Sequence, residues 1–116
     1  WELARGVGPA LEHHPHFPKR TNVEFVAVES PTHLKLVVWE RGCGITLACG
    51  TGACATAVAA CLTGRCQVNT DIRVDLPGGP MTIRVAPDYA TVFMTGPAAQ
   101  VFEGTLAPTQ LHRRPS

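Results

Sequence analysis

Aromatic side chains are scarce in this chain, with two Trp, one Tyr and four Phe among 116 residues. A surface that stacks nucleobases needs several of them beside a basic patch. The charges supply no such patch. Ten Lys and Arg nearly cancel nine Asp and Glu, the net charge is +1, and the basic residues are scattered. Nothing therefore argues for a nucleic-acid partner. Cysteines at metal-binding spacing are also missing. Cys43, Cys49, Cys54, Cys61 and Cys66 make an odd number and include no Cys-x-x-Cys pair. That argues against a zinc site and against a secreted disulfide framework. It fits free thiols in a reducing cytoplasm, and no signal peptide is visible. Residues 42–64 carry no charge, yet Gly42, Gly44, Gly50, Gly52 and Gly64 break the run. Its helical part falls short of the roughly 20 apolar residues that span a bilayer, so a buried core helix is expected and no membrane segment. The phosphate-loop pattern and the dinucleotide fingerprint are both absent, which makes Gly50-Thr51-Gly52 a poor nucleotide site. There is no internal repeat and no low-complexity stretch. The chain starts at Trp1 rather than at an initiator methionine, and a piece of something longer is expected.

What is present reads as one globular domain with a modest core, since 45% of the residues are hydrophobic and 16% charged. Residues 1–22, with Pro9, Pro15, Pro18 and a histidine cluster, read as irregular. Alternation predicts strands over Val23–Glu29 and His33–Trp39, joined by Ser30-Pro31-Thr32 and ending at Glu40-Arg41. Thr51–Leu62 is the convincing helix. Cys54, Val58, Cys61 and Leu62 share one face, alanine and threonine fill the other, and no side is charged. Such a helix is usually enclosed by other elements. Gly64 suits its C-cap and Arg65 its negative end. Period two returns in residues 71–76 and 81–85 around a Pro77–Pro80 turn, then in 91–95 and 100–103, and 106–116 reads as a frayed tail. The expected architecture is α+β: a mostly antiparallel sheet of five or six strands curled around one central helix. The N-terminus of that helix, with Cys49, faces one mouth of the sheet.

Chemistry concentrates in residues 39–60. Cys49 stands just before Gly50-Thr51-Gly52 at the helix start. The positive helix end favours thiolate, and the glycines let backbone amides approach a carboxylate or phosphate. A thiol so placed can act as nucleophile or proton carrier. The plainer alternative is a structural cysteine before a tight turn. Glu40 could hold an ammonium and Arg41 a carboxylate, together an amino-acid head group, or they could form a surface ion pair. Asn22, at the start of the first strand, offers an amide that suits a zwitterion, although alone it is an ordinary turn residue. His13, His14 and His16 are interrupted by Pro15 and lack carboxylates beside them, so they read as a polar loop rather than a metal site. Cys54 and Cys61 read as core thiols. Cys43 is close enough in the loop to leave a disulfide with Cys49 open, and Cys66 has no evident role.

These segments resemble the diaminopimelate epimerase family. The likeness lies in His14-Pro15-His16-Phe17-Pro18 with Thr21-Asn22-Val23-Glu24-Phe25-Val26, and in Val38-Trp39-Glu40-Arg41-Gly42. It continues in Ala48-Cys49-Gly50-Thr51-Gly52-Ala53-Cys54-Ala55, and in Thr95-Gly96-Pro97-Ala98 with Val101-Phe102-Glu103-Gly104. It covers about Gly6 to Gly104. The resemblance implies cofactor-free interconversion of LL- and meso-diaminopimelate, with neither pyridoxal phosphate nor metal. Two cysteines flank the α-carbon in that family, and Cys49 would be one of them. Asn22, Glu40 and Arg41 would hold the non-reacting end of the substrate, and Gly50 and Thr51 the carboxylate at the reacting centre. The family is built of two similar halves. The first half, with its Cys-Gly-Asn segment, and the Gly-Asn-Pro-His strand that opens the second are not found here. Residues 1–105 thus read as a partial C-terminal epimerase domain, inactive alone. The partners implied are the small-molecule substrate and the first half of the enzyme, with a homodimer left open. Two other readings stand beside this one: a proline racemase-like isomerase, which would have no use for the Glu40-Arg41-Asn22 pocket, and a non-catalytic amino-acid-binding domain.

Overall fold

A computed structural model describes residues 1–107 of the chain. Helix α1 (Glu2–Glu12) comes first, then strands β1 (Val23–Ser30) and β2 (His33–Glu40), a two-residue strand β3 (Gly44–Ile45), and helix α2 (Gly50–Leu62). Strands β4 (Ile72–Leu76), β5 (Gly79–Val85) and β6 (Val92–Thr95) follow. They form one sheet in the order β1-β2-β4-β5-β6, with β3 paired to the end of β2. All pairings are antiparallel except β2 with β4, where Leu34 faces Val74. That parallel step is why α2 lies between them in sequence: a parallel pair needs a long crossover.

Strand alternation sorts the side chains. Leu34, Leu36 and Val38 of β2, Ile72 and Val74 of β4, and Ile83 and Val85 of β5 point to one face and are almost fully buried. The sheet curls so that β1, β2, β4, β5 and β6 all meet α2 on that face. The helix presents Gly52, Ala53, Thr56, Ala57, Ala60 and Cys61 to it. This differs from the expected face. Of Cys54, Val58, Cys61 and Leu62, only Cys61 is buried, and Leu62 is 68% exposed. Small side chains let the helix backbone settle close to the sheet, so alanine rather than bulk marks the buried stripe. On the outer side Thr51, Ala55 and Ala59 are exposed.

Three further expectations are corrected. Residues 2–12 are not irregular but helical, even though Pro9 lies inside α1. The helix is held by packing on the opposite face of the sheet, against β1, β2 and β3. A Cβ at Gly8 would come within 2.7 Å of the Trp39 ring, so only glycine lets α1 lie flat on the indole. The expected strand at 100–103 is absent. After Gly96, Pro97 offers no N–H to a ladder, and Val101 and Phe102 are 89% and 83% exposed. Most of the expected 106–116 tail lies outside the described residues. The β4–β5 hairpin is tighter than expected, with Leu76 facing Gly79 across a two-residue loop.

Replacing Gly8 by Ala should lower the urea midpoint of the chain. Overpacking costs about 1–3 kcal/mol, which outweighs the roughly 1 kcal/mol that alanine gains within a helix. An unchanged midpoint would mean that Trp39 moves aside freely.

Candidate active site

The β1–β2 register decides which distant residues meet. Because Val23 faces Trp39, Asn22 stands beside the residues that leave β2. Asn22 Oδ1 accepts the Arg41 backbone N–H at 2.9 Å. The exposed Arg41 guanidinium donates from Nη1 to the Lys19 carbonyl at 3.1 Å. The chain then turns back through Gly42 and Gly44, both at φ +78°, so that Gly44 pairs with Glu40. Glu40 Oε1 accepts the Thr46 hydroxyl at 2.5 Å. The structure thus brings Asn22, Glu40 and Arg41 together at one end of the hairpin.

A residue that the sequence did not single out fixes this turn. Glu12, at the end of α1, is only 3% exposed. Its Oε2 accepts the Trp39 indole N–H at 2.8 Å, and its Oε1 accepts the Gly42 N–H at 2.9 Å. Arg20 Nη1 lies 3.7 Å away. The hydrogen bond from Trp39, then that from Gly42, hold the Glu12 carboxyl below its ordinary value against the opposing effect of burial, with the charges of His13 and Arg20 adding to the shift. With α1 read as irregular, the sequence carried no sign that Glu12 would reach the turn.

The segment from the turn to Cys49 is tied down once more. Gly78, in the β4–β5 loop, donates its N–H to the Leu47 carbonyl at 2.7 Å, and a Cβ there would stand 2.8 Å from that oxygen. Cys49 follows as the N-cap of α2, in extended conformation at φ −146° and ψ 99°. It does what serine or aspartate does at most caps. Its Sγ accepts the Gly52 N–H at 3.3 Å, and its carbonyl accepts the Ala53 N–H at 2.9 Å. Thr51 Oγ1 lies 3.6 Å from the sulfur. The first turn carries no acidic residue. Among the described residues, no acceptor meets the N–H of Gly50 or Thr51. Gly50 sits under Met94 of β6, whose Sδ would lie 3.0 Å from a Cβ at that position.

A second carboxylate also escaped the sequence reading. Glu24 of β1 lies in phase with Val26 and Val28, opposite Val38, so it faces α2. Burial first, and then the charge of Glu40, raise its pKa, while its own backbone N–H works the other way. The strand alternation could have revealed it, since one acidic residue occupies the core-facing phase.

All five cysteines are free. Burial pushes the thiols of Cys54, Cys61 and Cys66 up, and Cys61 adds to the effect on Cys66. Cys61 and Cys66 are buried and Cys54 is half-buried, whereas Cys43 is exposed. His14 and His16 stack with centroids 5.0 Å apart, and His13 Nδ1 lies 2.9 Å from the Pro9 carbonyl. No described helix is long and apolar enough to cross a membrane.

The class defined by these parts is an α+β domain with a thiol at the start of its core helix and ionic groups at the end of a neighbouring hairpin. The chain belongs to the diaminopimelate epimerase family, whose family model, described as "Diaminopimelate epimerase", matches residues 2–101. It is 60% identical over 101 residues to a diaminopimelate epimerase of Synechococcus sp. (strain JA-2-3B'a(2-13)), covering 87% of this chain and 35% of that protein. To the diaminopimelate epimerase of Microcystis aeruginosa it is 59% identical over 98 residues, covering 84% of this chain and 34% of the relative. For that of Nostoc punctiforme the identity is 55% over 100 residues, with 86% and 35% covered. The chain spans about a third of the length of the curated relatives it matches.

Acid should undo the Glu12 clamp. A carboxyl held below its ordinary 4.5 stabilises the fold above that value, and the contribution is lost as pH falls through the lower folded value. In a Trp1→Phe background, Trp39 fluorescence should therefore change below the ordinary carboxylate range. Glu12→Gln, which meets two N–H donors with a single acceptor oxygen, should abolish that transition and speed amide exchange at Gly42 at neutral pH. Slow exchange at Gly42 in the variant would show that the turn holds itself.

Proposed function

We propose that the protein carrying this chain interconverts LL- and meso-diaminopimelate without a cofactor, and that this chain supplies one of two acid/base thiols and part of the substrate site. The observation that carries the reading is the sulfur of Cys49 capping α2 beside two uncommitted helix-start N–H groups, in a chain of this family.

In this reading the Cys49 thiolate takes the α-proton and becomes a thiol. The electron pair of the broken C–H bond stays on the α-carbon and spreads into the adjoining carboxylate. The N–H groups of Gly50 and Thr51 bind that carboxylate and stabilise the charge as it develops. A second thiol, from the other half of the enzyme, gives its proton to the opposite face. One proton leaves, one arrives, and the configuration inverts. At the far end of the substrate, Glu40 takes the ammonium, Arg41 the carboxylate and Asn22 either group. Arg41 binds the Lys19 carbonyl through Nη1, which leaves other guanidinium donors for a ligand.

The remainder of the enzyme is the partner that brings the second thiol, so the isolated chain is inactive. A cytoplasmic location is supported by the five free thiols.

The test is inversion of LL- to meso-diaminopimelate, catalysed by the whole protein. Cys49→Ala should reduce inversion by about a hundred- to ten-thousand-fold, the usual worth of a positioned acid or base. Cys61→Ala should leave the reaction in place. Inversion that survives in the Cys49→Ala protein would remove Cys49 from the mechanism, and turnover of proline instead of diaminopimelate would reassign the substrate.

A further inference from the structure

We propose that Glu24 is a positioning residue for Cys49, its carboxyl governing how readily the thiol ionises across the bare backbone of Gly52. The proposal rests on the reading of Cys49 as the proton-carrying thiol and deepens it.

The geometry converges on one point. A Cβ built on Gly52 would stand 3.1 Å from Cys49 Sγ, 3.2 Å from Glu24 Oε1 and 3.3 Å from Val38 Cγ2. Sulfur and carboxyl thus border the space of a single absent methyl group. The Gly52 N–H, from the same residue, is already given to the sulfur. The placement of Glu24 follows from strand phase. Its neighbours in phase, Val26 and Val28, face Leu36 and Leu34, so a carboxyl stands where the strand otherwise sets valine. A half-buried carboxyl without a partner is unfavourable, and Glu24 forms no ion pair among the described residues.

The charges around the pair come from each element packed there. From β2, Glu40 acts on Glu24 with like charge. From the end of α2, Arg65 lines the same groove between β1 and α2, with Thr56 and Ala59 between it and the helix start. From β6 the neighbour is the uncharged Met94. The positive contribution nearest the sulfur is the start of α2 itself. A carboxylate that borders the same small space as the sulfur opposes ionisation there. With Glu24 protonated, the helix start supports a thiolate. With Glu24 ionised, its charge opposes a second negative charge on the sulfur. An acid/base that must take a proton in one direction and give it in the other needs both states within reach, and the carboxyl supplies that poise.

The experiment is site-resolved alkylation of the intact chain with iodoacetamide from acid to mildly alkaline pH, with Cys49 followed by peptide mass spectrometry. Glu24→Gln keeps the shape and removes the charge. It should move the pH midpoint for Cys49 down and raise its neutral-pH rate about tenfold, the effect of one unit. Glu24→Asp, which keeps the charge, should hold the midpoint near that of the unsubstituted chain. A Glu24→Gln profile that superimposes on that chain, or that moves to higher pH, overturns the proposal. Cys61, at the far end of α2, reports on folding. If its alkylation quickens in the variant, the decision passes to the unsubstituted chain: ionisation of Glu24 must then flatten the Cys49 profile into a shoulder, and a single smooth rise overturns the proposal. The assay uses no diaminopimelate, so its outcome is independent of the turnover test.

Discussion

Cys49 Sγ, the Glu24 carboxyl and Val38 close to within 3.1–3.3 Å of where a side chain on Gly52 would begin. Much of the structure follows from that narrow contact. It lets the first turn of α2 approach β1 and β2 together, with the groove between β1 and α2 opening further along the helix. It aims the Gly52 N–H at the sulfur, which makes a cysteine serve as the cap. A side chain at 52 would require Cys49, Glu24 or Val38 to give way by a few tenths of an ångström. The alanines further along α2 repeat the same device with less strictness.

Two glutamates show how this small domain gives one residue type opposite tasks. Glu12 meets two N–H donors, with an arginine nearby, and is held as a carboxylate. It works as a rigid post that joins α1 to the turn after β2. Glu24 meets a helix backbone, a thiol and another carboxylate, and its environment resists the charge. Burial alone does not decide between these outcomes, because Glu12 is the more enclosed of the two by surface exposure. The number of donors aimed at the oxygens decides it.

Much of this was legible in the sequence. Period-two alternation gave the β1–β2 hairpin and the β4–β5 pair nearly to their ends, and the uncharged run gave α2 and its cap. Asn22, Glu40 and Arg41 could be named because polar residues at strand ends stand out. The rest depended on contacts that no local pattern encodes. Helix α1 contains Gly6, Gly8 and Pro9, each unfavourable in a helix, and it forms because Gly8 fits the Trp39 ring. The buried face of α2 was misjudged because bulk was taken as the mark of the interior, whereas the sheet lies too near for leucine. Residues 100–103 have the alternation of a strand, but among the described residues they pair with none. Glu12 stayed hidden because its partners Trp39 and Gly42 lie far away in sequence, whereas Glu24 was overlooked although it occupies the valine phase of β1.

The hairpin and the parallel pairing of β2 with β4 differ in the length of chain they must close. Strands β1 and β2 meet across a tight turn, whereas β4 reaches β2 only after the whole of α2 has been placed, and closing longer loops is slower. The Asn22–Arg41 contact belongs to the first event. The seating of Cys49 belongs to the second, because Leu47 is fastened by Gly78 of the β4–β5 loop. The shorter closure favours the polar end of the site, whereas the seat of the thiol also needs the β4–β5 loop in place against Leu47.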